Sequence, residues 1–228
     1  MHTAKRRIRE KGRRREEIIQ AAGDLFFNRG YGGVAMEDVA LATELSTGAL
    51  YLYFKNKDAL FCAVVLEGVR VLNGLFRKAV SDGGNGRAKL QAVGAAYMEF
   101  YRTYPGQFRA FMELQSYSFP EDDESMIQLN ELVGENVRGI VCRCISEGMA
   151  DGSLRGDIDP LQTTLFLIIS MQNVVCLAPG PKEAFKRNNL SQEAFARYSL
   201  DMMIRLLSFD RQATPKGERP YHEDFDHI

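Results

Sequence analysis

An all-α fold is what this sequence predicts, and three observations carry the prediction. Apolar residues recur at helical spacing along most of the chain, strand-like alternation is nearly absent, and Gly, Pro, Ser and Asp fall where helices would start and stop. The chain has 228 residues, 45% of them apolar and 26% charged. That balance suits a globular protein and argues against disorder throughout. No uninterrupted apolar run reaches the length of about 18 residues that a membrane span needs. The nearest candidate, 164–178, is short and interrupted by Ser170, Gln172 and Asn173. No apolar segment follows the basic N-terminus, so neither a secretory signal nor a membrane partner is expected and the chain is placed in the cytoplasm.

The elements follow in order. A first helix over 13–29 carries Ile18, Ala22, Leu25 and Phe26 on one face, and Gly30 stands at the C′ position that ends a helix. A short helix over 36–43 turns Val39 and Ala40 inward. After Glu44 and Leu45, Ser46 is placed to cap a third helix over 47–54. Lys55 and Asn56 end it, and a longer helix covers 57–80. The run 81–86 is Gly-rich but has neither a preceding strand nor a following Lys-Ser/Thr, so it reads as a flexible connection. A helix over 87–104 is broken by Pro105, and another covers 106–117. The acids at 121–124 suit the start of a helix that runs to 149. A turn at 151–156 leads to Asp159, a cap, with Pro160 at the first position of a helix reaching 177. Pro179, Gly180 and Pro181 break the chain again, and Ser191 caps a last helix to 209. Residues 210–228 read as a polar tail. The count is nine helices with no internal repeat, divided as 1–57, 58–209 and the tail.

Charge is uneven. Net charge is −1, yet residues 1–57 hold eleven basic and seven acidic side chains, and eight of the bases lie within 1–15. That asymmetry suggests a polyanion meets the N-terminal part. Cys62, Cys142, Cys144 and Cys176 sit in helix-like apolar stretches without a CxxC, which favours reduced, mostly buried thiols over zinc. His2, His222 and His227 lie at the ends, so a histidine triad or metal cage in the core is not expected. No catalytic constellation, cofactor motif or metal site is legible.

Two short helices joined by a tight turn, behind a first helix and a basic arm, are the layout of a helix-turn-helix reader of DNA. Ala40 supplies the small residue where the helices approach, and Leu45 and Leu50 plug the turn. The stretch Gly30-Tyr31, Met36-Glu37-Asp38-Val39-Ala40, Leu45-Ser46-Thr47-Gly48-Ala49-Leu50-Tyr51-Leu52-Tyr53-Phe54-Lys55-Asn56-Lys57-Asp58-Ala59-Leu60 resembles the TetR family of bacterial transcriptional regulators. Specific resemblance spans about 13–65. It implies an all-helical homodimer whose N-terminal domain binds a palindromic operator and whose C-terminal domain holds a small-molecule pocket. By position, Thr47, Gly48, Ala49, Tyr51 and Leu52 would face the major groove, Ser46 would belong to the same DNA-binding surface, and Tyr53, Lys57 and the Met36 backbone N–H would hold phosphates. Threonine can donate to a base edge and an alanine methyl suits a thymine methyl, while an ammonium neutralises phosphate without reading sequence. Two departures stand out. Glu44 occupies a turn position that usually holds glycine, and Leu52 leaves the reading helix without Arg, Asn or Gln, so DNA shape would share in specificity. The basic arm 5–15 is either a solvated tail or a DNA-contacting arm.

In the C-terminal part, Tyr97, Tyr101, Tyr104, Phe108, Phe111 and Met112 cluster around the Pro105 break, with Gln115, Gln172 and Asn173 as polar candidates. Such a cluster is either plain core or the wall of a pocket; with the resemblance, an apolar or aromatic effector is expected there. The resemblance also implies that the last two helices, 160–177 and 191–209, form a four-helix dimer interface. The sequence therefore supports a ligand-responsive transcriptional regulator, a repressor released by its effector. The alternatives are a DNA-binding regulator without a small-molecule effector, controlled by a protein partner or acting as an activator, and, more weakly, an all-helical enzyme.

Overall fold

The computed structural model describes residues 2–117, 124–176 and 179–208, and among them every regular element is helical. The elements are α1 His2–Arg29, α2 Met36–Ala42, α3 Thr47–Tyr51, α4 Lys57–Ser81, α5 Gly86–Thr103, α6 Pro105–Leu114, α7 Glu124–Glu131, a π-helical stretch Leu132–Arg138, α8 Gly139–Ala150, α9 Pro160–Val175, α10 Pro179–Arg187 and α11 Gln192–Leu206. The predicted tail 210–228 and the acidic start 121–123 lie outside the described residues.

The predicted caps form. Ser46 Oγ accepts from Ala49 N at 3.2 Å, Asp159 Oδ1 from Gln162 N at 2.7 Å and Ser191 Oγ from Ala194 N at 3.3 Å. Asn56 and Asn85, not singled out in the sequence, cap α4 and α5 in the same way. Gly30 takes φ 71°, which ends α1 as expected.

Four expectations are corrected. First, α1 starts at His2, so the basic arm is the exposed first half of a 28-residue helix rather than a loose tail. Its Lys and Arg residues have good helix propensity, and Arg6 pairs with Glu10 one turn on at 2.8 Å. Second, Pro179 opens a helix where a break is predicted. A proline at the first position gives up an N–H that has no helical partner anyway. Third, the single helix predicted to reach 149 contains a π stretch, whose i→i+5 bonding leaves no compositional mark. With α10 and this division, the described residues hold eleven α-helices and one π stretch where nine helices are predicted. Fourth, the longest apolar helix is α4 rather than 164–178. It is long and apolar enough to cross a membrane, but 67% of its most apolar window is buried inside the protein.

That burial defines the architecture. α4 runs from the N-terminal helices into the C-terminal bundle, with Leu60, Phe61, Val64, Val69 and Leu72 almost fully buried. α1, α2 and α3 close against its start through Ile18, Ala22, Phe26, Val39 and Leu50. α5 and α8 cross so closely that a Cβ on Gly86 would meet Gly148 N at 2.0 Å. Beside this crossing, Asp151 accepts hydrogen bonds from Ser153, whose N donates to Oδ1 at 2.9 Å, and from Gly86 N, which donates to Oδ2 at 2.7 Å, and those bonds hold its carboxyl below its ordinary pKa. Cys62 and Cys144 are buried and Cys142 half-buried, but Cys176 is exposed; none of the four is in a disulfide.

Candidate functional site

The turn between α2 and α3 is built from backbone bonds. Leu45 N donates to Ala40 O at 2.9 Å and Glu44 N to Leu41 O at 3.2 Å. This 6→1 plus 5→2 pair is a Schellman motif, with Glu44 in the left-handed C′ position at φ 54°. The carboxylate-bearing residue thus adopts the conformation glycine would supply. Buried Val39, Ala40 and Leu50 tie the two helices together.

What this leaves outside is the reading face. Ser46 and Gly48 are exposed, Thr47 and Ala49 half-exposed, and Tyr51 and Leu52 are 47% and 75% exposed. α3 itself ends at Tyr51. Leu52 N donates to Ala49 O and Tyr53 N to Leu50 O, so the last turn tightens and Tyr53 packs half-buried on the core. Met36 has a buried side chain, while its backbone N–H lies in the first turn of α2. Arg14 Nη2 donates to Thr43 O at 2.6 Å, and the Arg15 guanidinium lies 4.8 Å from the centre of the Phe54 ring. These two arginines fasten α1 to the helix pair, while the basic residues from Lys5 to Arg13 remain exposed.

Lys57 is placed differently from the sequence expectation. Its Nζ donates to Tyr31 O at 2.8 Å and Val34 O at 3.0 Å, and lies 4.1 Å from the centre of the Tyr31 ring. Two of its three donors therefore hold the loop after α1, which leaves at most one for a phosphate.

Tyr31 is a junction that sequence reasoning missed. Its hydroxyl donates to Asp58 Oδ1 on α4, and its backbone N–H donates to Glu113 Oε1 on α6 at 3.0 Å. Burial and the neighbouring carboxylate push its pKa well up, so it remains a neutral donor. Its ring packs 5.0 Å from Phe61 and 4.8 Å from Tyr117. The Gly30-Tyr31 pair was visible in the motif, but Glu113, 82 positions along the chain, had no local signal.

The C-terminal bundle holds a cavity of about 350 Å³ lined from α4, α5, α6, α7, the π stretch, α8, α9 and α11. Of the residues predicted to line a pocket, Tyr97, Phe111, Gln115 and Gln172 do so. Tyr101 instead lines a separate groove of about 440 Å³ between α5 and α11. Tyr104, Phe108, Met112 and Asn173 line neither. Phe108 is buried core, edge-on to Tyr97 and Tyr101 at 5.8 and 5.0 Å. Tyr104 forms the joint between α5 and α6. Met112 accepts from Gln115 Nε2 at 3.7 Å, and Asn173 is exposed, its Nδ2 donating to Ile169 O. The aliphatic wall of Leu129, Val133, Val137 and Val141 was missed, because stepped aliphatics on a helix look like any core face. Among the described residues no cluster of three or more His, Cys, Asp and Glu could hold a metal.

Residues 18–64, which contain the turn and its reading face, match the family described as "Bacterial regulatory proteins, tetR family". They form a TetR-family domain. Full-chain comparison agrees with that assignment. The chain is 28% identical over 162 residues to the HTH-type transcriptional repressor DhaR of Mycobacterium sp. strain GP1, covering 71% of this chain and 80% of that one. It is 28% identical over 149 residues to the HTH-type transcriptional repressor KstR2 of Rhodococcus jostii, covering 65% of this chain and 72% of that one. The structure of AibR in complex with isovaleryl coenzyme A and operator DNA shares the fold at 19% identity, with a TM-score of 0.63 over 86% of this chain and 98% of that one. The TetR-family domain therefore sits on a helical body whose fold also matches.

Proposed function

We propose that this protein is a ligand-responsive transcriptional repressor that binds a palindromic operator as a homodimer and is released by a small apolar effector. The observation that carries this reading is an exposed helix-turn-helix face joined, through α4 and the Tyr31–Glu113 contact, to a body containing a mainly apolar cavity. A relative named as a repressor and a structural neighbour solved with both an acyl-coenzyme A and operator DNA support it. Thr47, Gly48, Ala49, Tyr51 and Leu52 meet base edges; Ser46, Tyr53 and the first-turn N–H of Met36 lie toward the backbone, with one remaining donor of Lys57. The domain boundary falls near residue 57, where α4 begins. The protein acts by binding and not by catalysis, and its operator places it in the cytoplasm.

Dimerisation rests on α9 and α11. Leu161, Leu165, Phe166 and Ile169 on α9 and Tyr198, Met202 and Leu206 on α11 are exposed, at spacings that put them on one face of each helix. Phe166 and Ile169 are each 55% exposed. Contiguous apolar stripes of this kind mark an interface, and four such helices meeting across a two-fold axis bury all of them.

The test is sedimentation together with binding to a duplex selected by the protein from a random pool. The wild type is expected to be a dimer at micromolar concentration and to select a palindrome. Ile169→Glu is expected to yield monomers with weak operator binding. Tyr51→Ala is expected to leave the dimer intact and to narrow the gap between selected and random DNA. A wild-type monomer that binds DNA without selectivity would overturn the reading.

A further inference from the structure

The cavity is apolar except at a few positions, and one of these has a property the others lack. The hydroxyl of Tyr97 is buried and has no hydrogen-bond partner. The phenol ring packs edge-on against Phe108 at 5.8 Å, with the hydroxyl oxygen shielded from solvent. A buried donor left unsatisfied is costly, and native structures rarely keep one without a reason. Gln115, Asn130, Arg138 and Gln172 are the other polar residues in an otherwise apolar lining, and the Tyr97 hydroxyl bonds to none of them. A second asymmetry concerns charge. Among the described residues, Arg138, at the end of the π stretch, is the sole ionisable base lining the cavity, and no carboxylate lines it. Its guanidinium lies back over Gly134, where a Cβ would stand 3.0 Å from Nη2, and its exposed position puts it at the rim.

We infer that the cavity binds an apolar molecule carrying a carbonyl or carboxylate oxygen, neutral or anionic but not cationic, with the Tyr97 hydroxyl as the donor to that oxygen. This deepens the effector reading above and rests on it. Size sets a further bound. On the scale by which a 150 Å³ apolar cavity holds benzene, about 350 Å³ accommodates on the order of 14 non-hydrogen atoms. Ligands of that size gain from burial of their apolar body, and the phenol then supplies orientation and selectivity at small additional cost. Arg138 adds a preference for negative charge at the rim, because its guanidinium attracts an anion and repels a cation.

Three size-matched probes test this on the full chain by calorimetric titration: 2-undecanone, decanoate and undecylammonium. The ketone and the carboxylate are expected to bind saturably, one per protomer, and the ammonium to bind at least tenfold more weakly than decanoate. Tyr97→Phe removes only the hydroxyl and keeps the ring against Phe108, so the free variant should melt no lower than the wild type. It should bind 2-undecanone about five- to tenfold more weakly, the usual worth of one hydrogen bond. Arg138→Gln should reduce the preference for decanoate over undecylammonium and leave 2-undecanone unchanged. Equal affinity of wild type and Tyr97→Phe for the ketone overturns the donor assignment. Undecylammonium binding as tightly as decanoate overturns the charge assignment, and absence of saturable binding by both ketone and carboxylate overturns the ligand class. Operator affinity is read separately. Probe binding through Tyr97 with no operator release keeps the site and removes its effector role, whereas operator release by a compound insensitive to Tyr97→Phe keeps the effector role and removes this site.

Discussion

Replacing Glu44 by glycine should make the protein more stable without altering what it recognises. Glu44 stands at φ 54° with its side chain exposed. A left-handed backbone costs a residue bearing a Cβ roughly 1–2 kcal/mol. Glycine escapes that cost but is freer in the unfolded chain, which returns about 0.5–1 kcal/mol. The conformational gain of Glu44→Gly is therefore about 0.5–1 kcal/mol. A second effect must be separated from it, since the carboxylate sits beside the negative end of α2 and its loss adds a few tenths of a kcal/mol or so. Glu44→Ala isolates that effect, because it removes the charge and keeps the Cβ. Urea unfolding of wild type, Ala and Gly variants gives the comparison, and the Gly variant should exceed the Ala variant by the conformational gain. In melting temperature this is about 1–4 °C for a chain of this length. Operator affinity should stay within about twofold, because the bonds from Glu44 N and Leu45 N belong to the backbone. Ala and Gly variants of equal stability would refute the reasoning, since the left-handed state would then carry no cost to relieve.

Three further outcomes follow from the same geometry. Deleting residues 2–11 removes Lys5, Arg6, Arg7, Arg9 and Lys11, and if the helical extension of α1 lies along DNA, the salt dependence of operator binding should fall by several units, at about 0.9 per phosphate contact; an unchanged slope would assign the extension to solvent. Lys57→Met should lower stability more than it lowers the salt slope, because two of the lysine's donors hold Tyr31 O and Val34 O; a slope reduced by about one with unchanged stability would return Lys57 to the phosphates. Because the Asp151 carboxyl is held below its ordinary pKa by Ser153 and Gly86, its contribution to stability is full above about pH 4 and is lost as pH falls through the lowered value; Asp151→Asn should be less stable near neutrality and lose less on acidification, and parallel acid-unfolding profiles would discard the clamp.

The parts of this molecule that could be read from its sequence are those set by local chemistry. Ser46, Asp159 and Ser191 announced helix starts because a short oxygen-bearing side chain is needed at one place only. Glu44 announced an unusual turn because the surrounding motif left no other conformation for it. Residues whose placement depends on distant partners could not be read this way. The position of Lys57 in the motif assigns it to phosphate, and nothing local signals that Tyr31 O and Val34 O face it. Tyr97, Tyr101, Tyr104 and Phe108 are equivalent in sequence, and only the packing of α5 against its neighbours sends the first to the cavity, the second to a surface groove, the third to a joint and the fourth to the core. Pro179 misled because the same missing N–H that stops a helix also suits its first turn.

The π stretch between α7 and α8 has a consequence for how this cavity can change through evolution. Leu129, Val133, Val137 and Val141 all line the cavity at four-residue steps. In an uninterrupted α-helix each such step overshoots a turn by about 40°, and the row would drift away from the cavity. The wider π turn works like an intercalary day, absorbing the accumulated error so that the row stays in phase. The same correction sets the rotation of everything downstream, including Gly148, whose approach to Gly86 admits no side chain. Loss of one residue from 132–138 would therefore displace the wall and unseat the α5–α8 crossing together. Lineages of this protein are free to retune the cavity by exchanging side chains on the wall, but the length of this segment is locked by a contact that never touches the ligand.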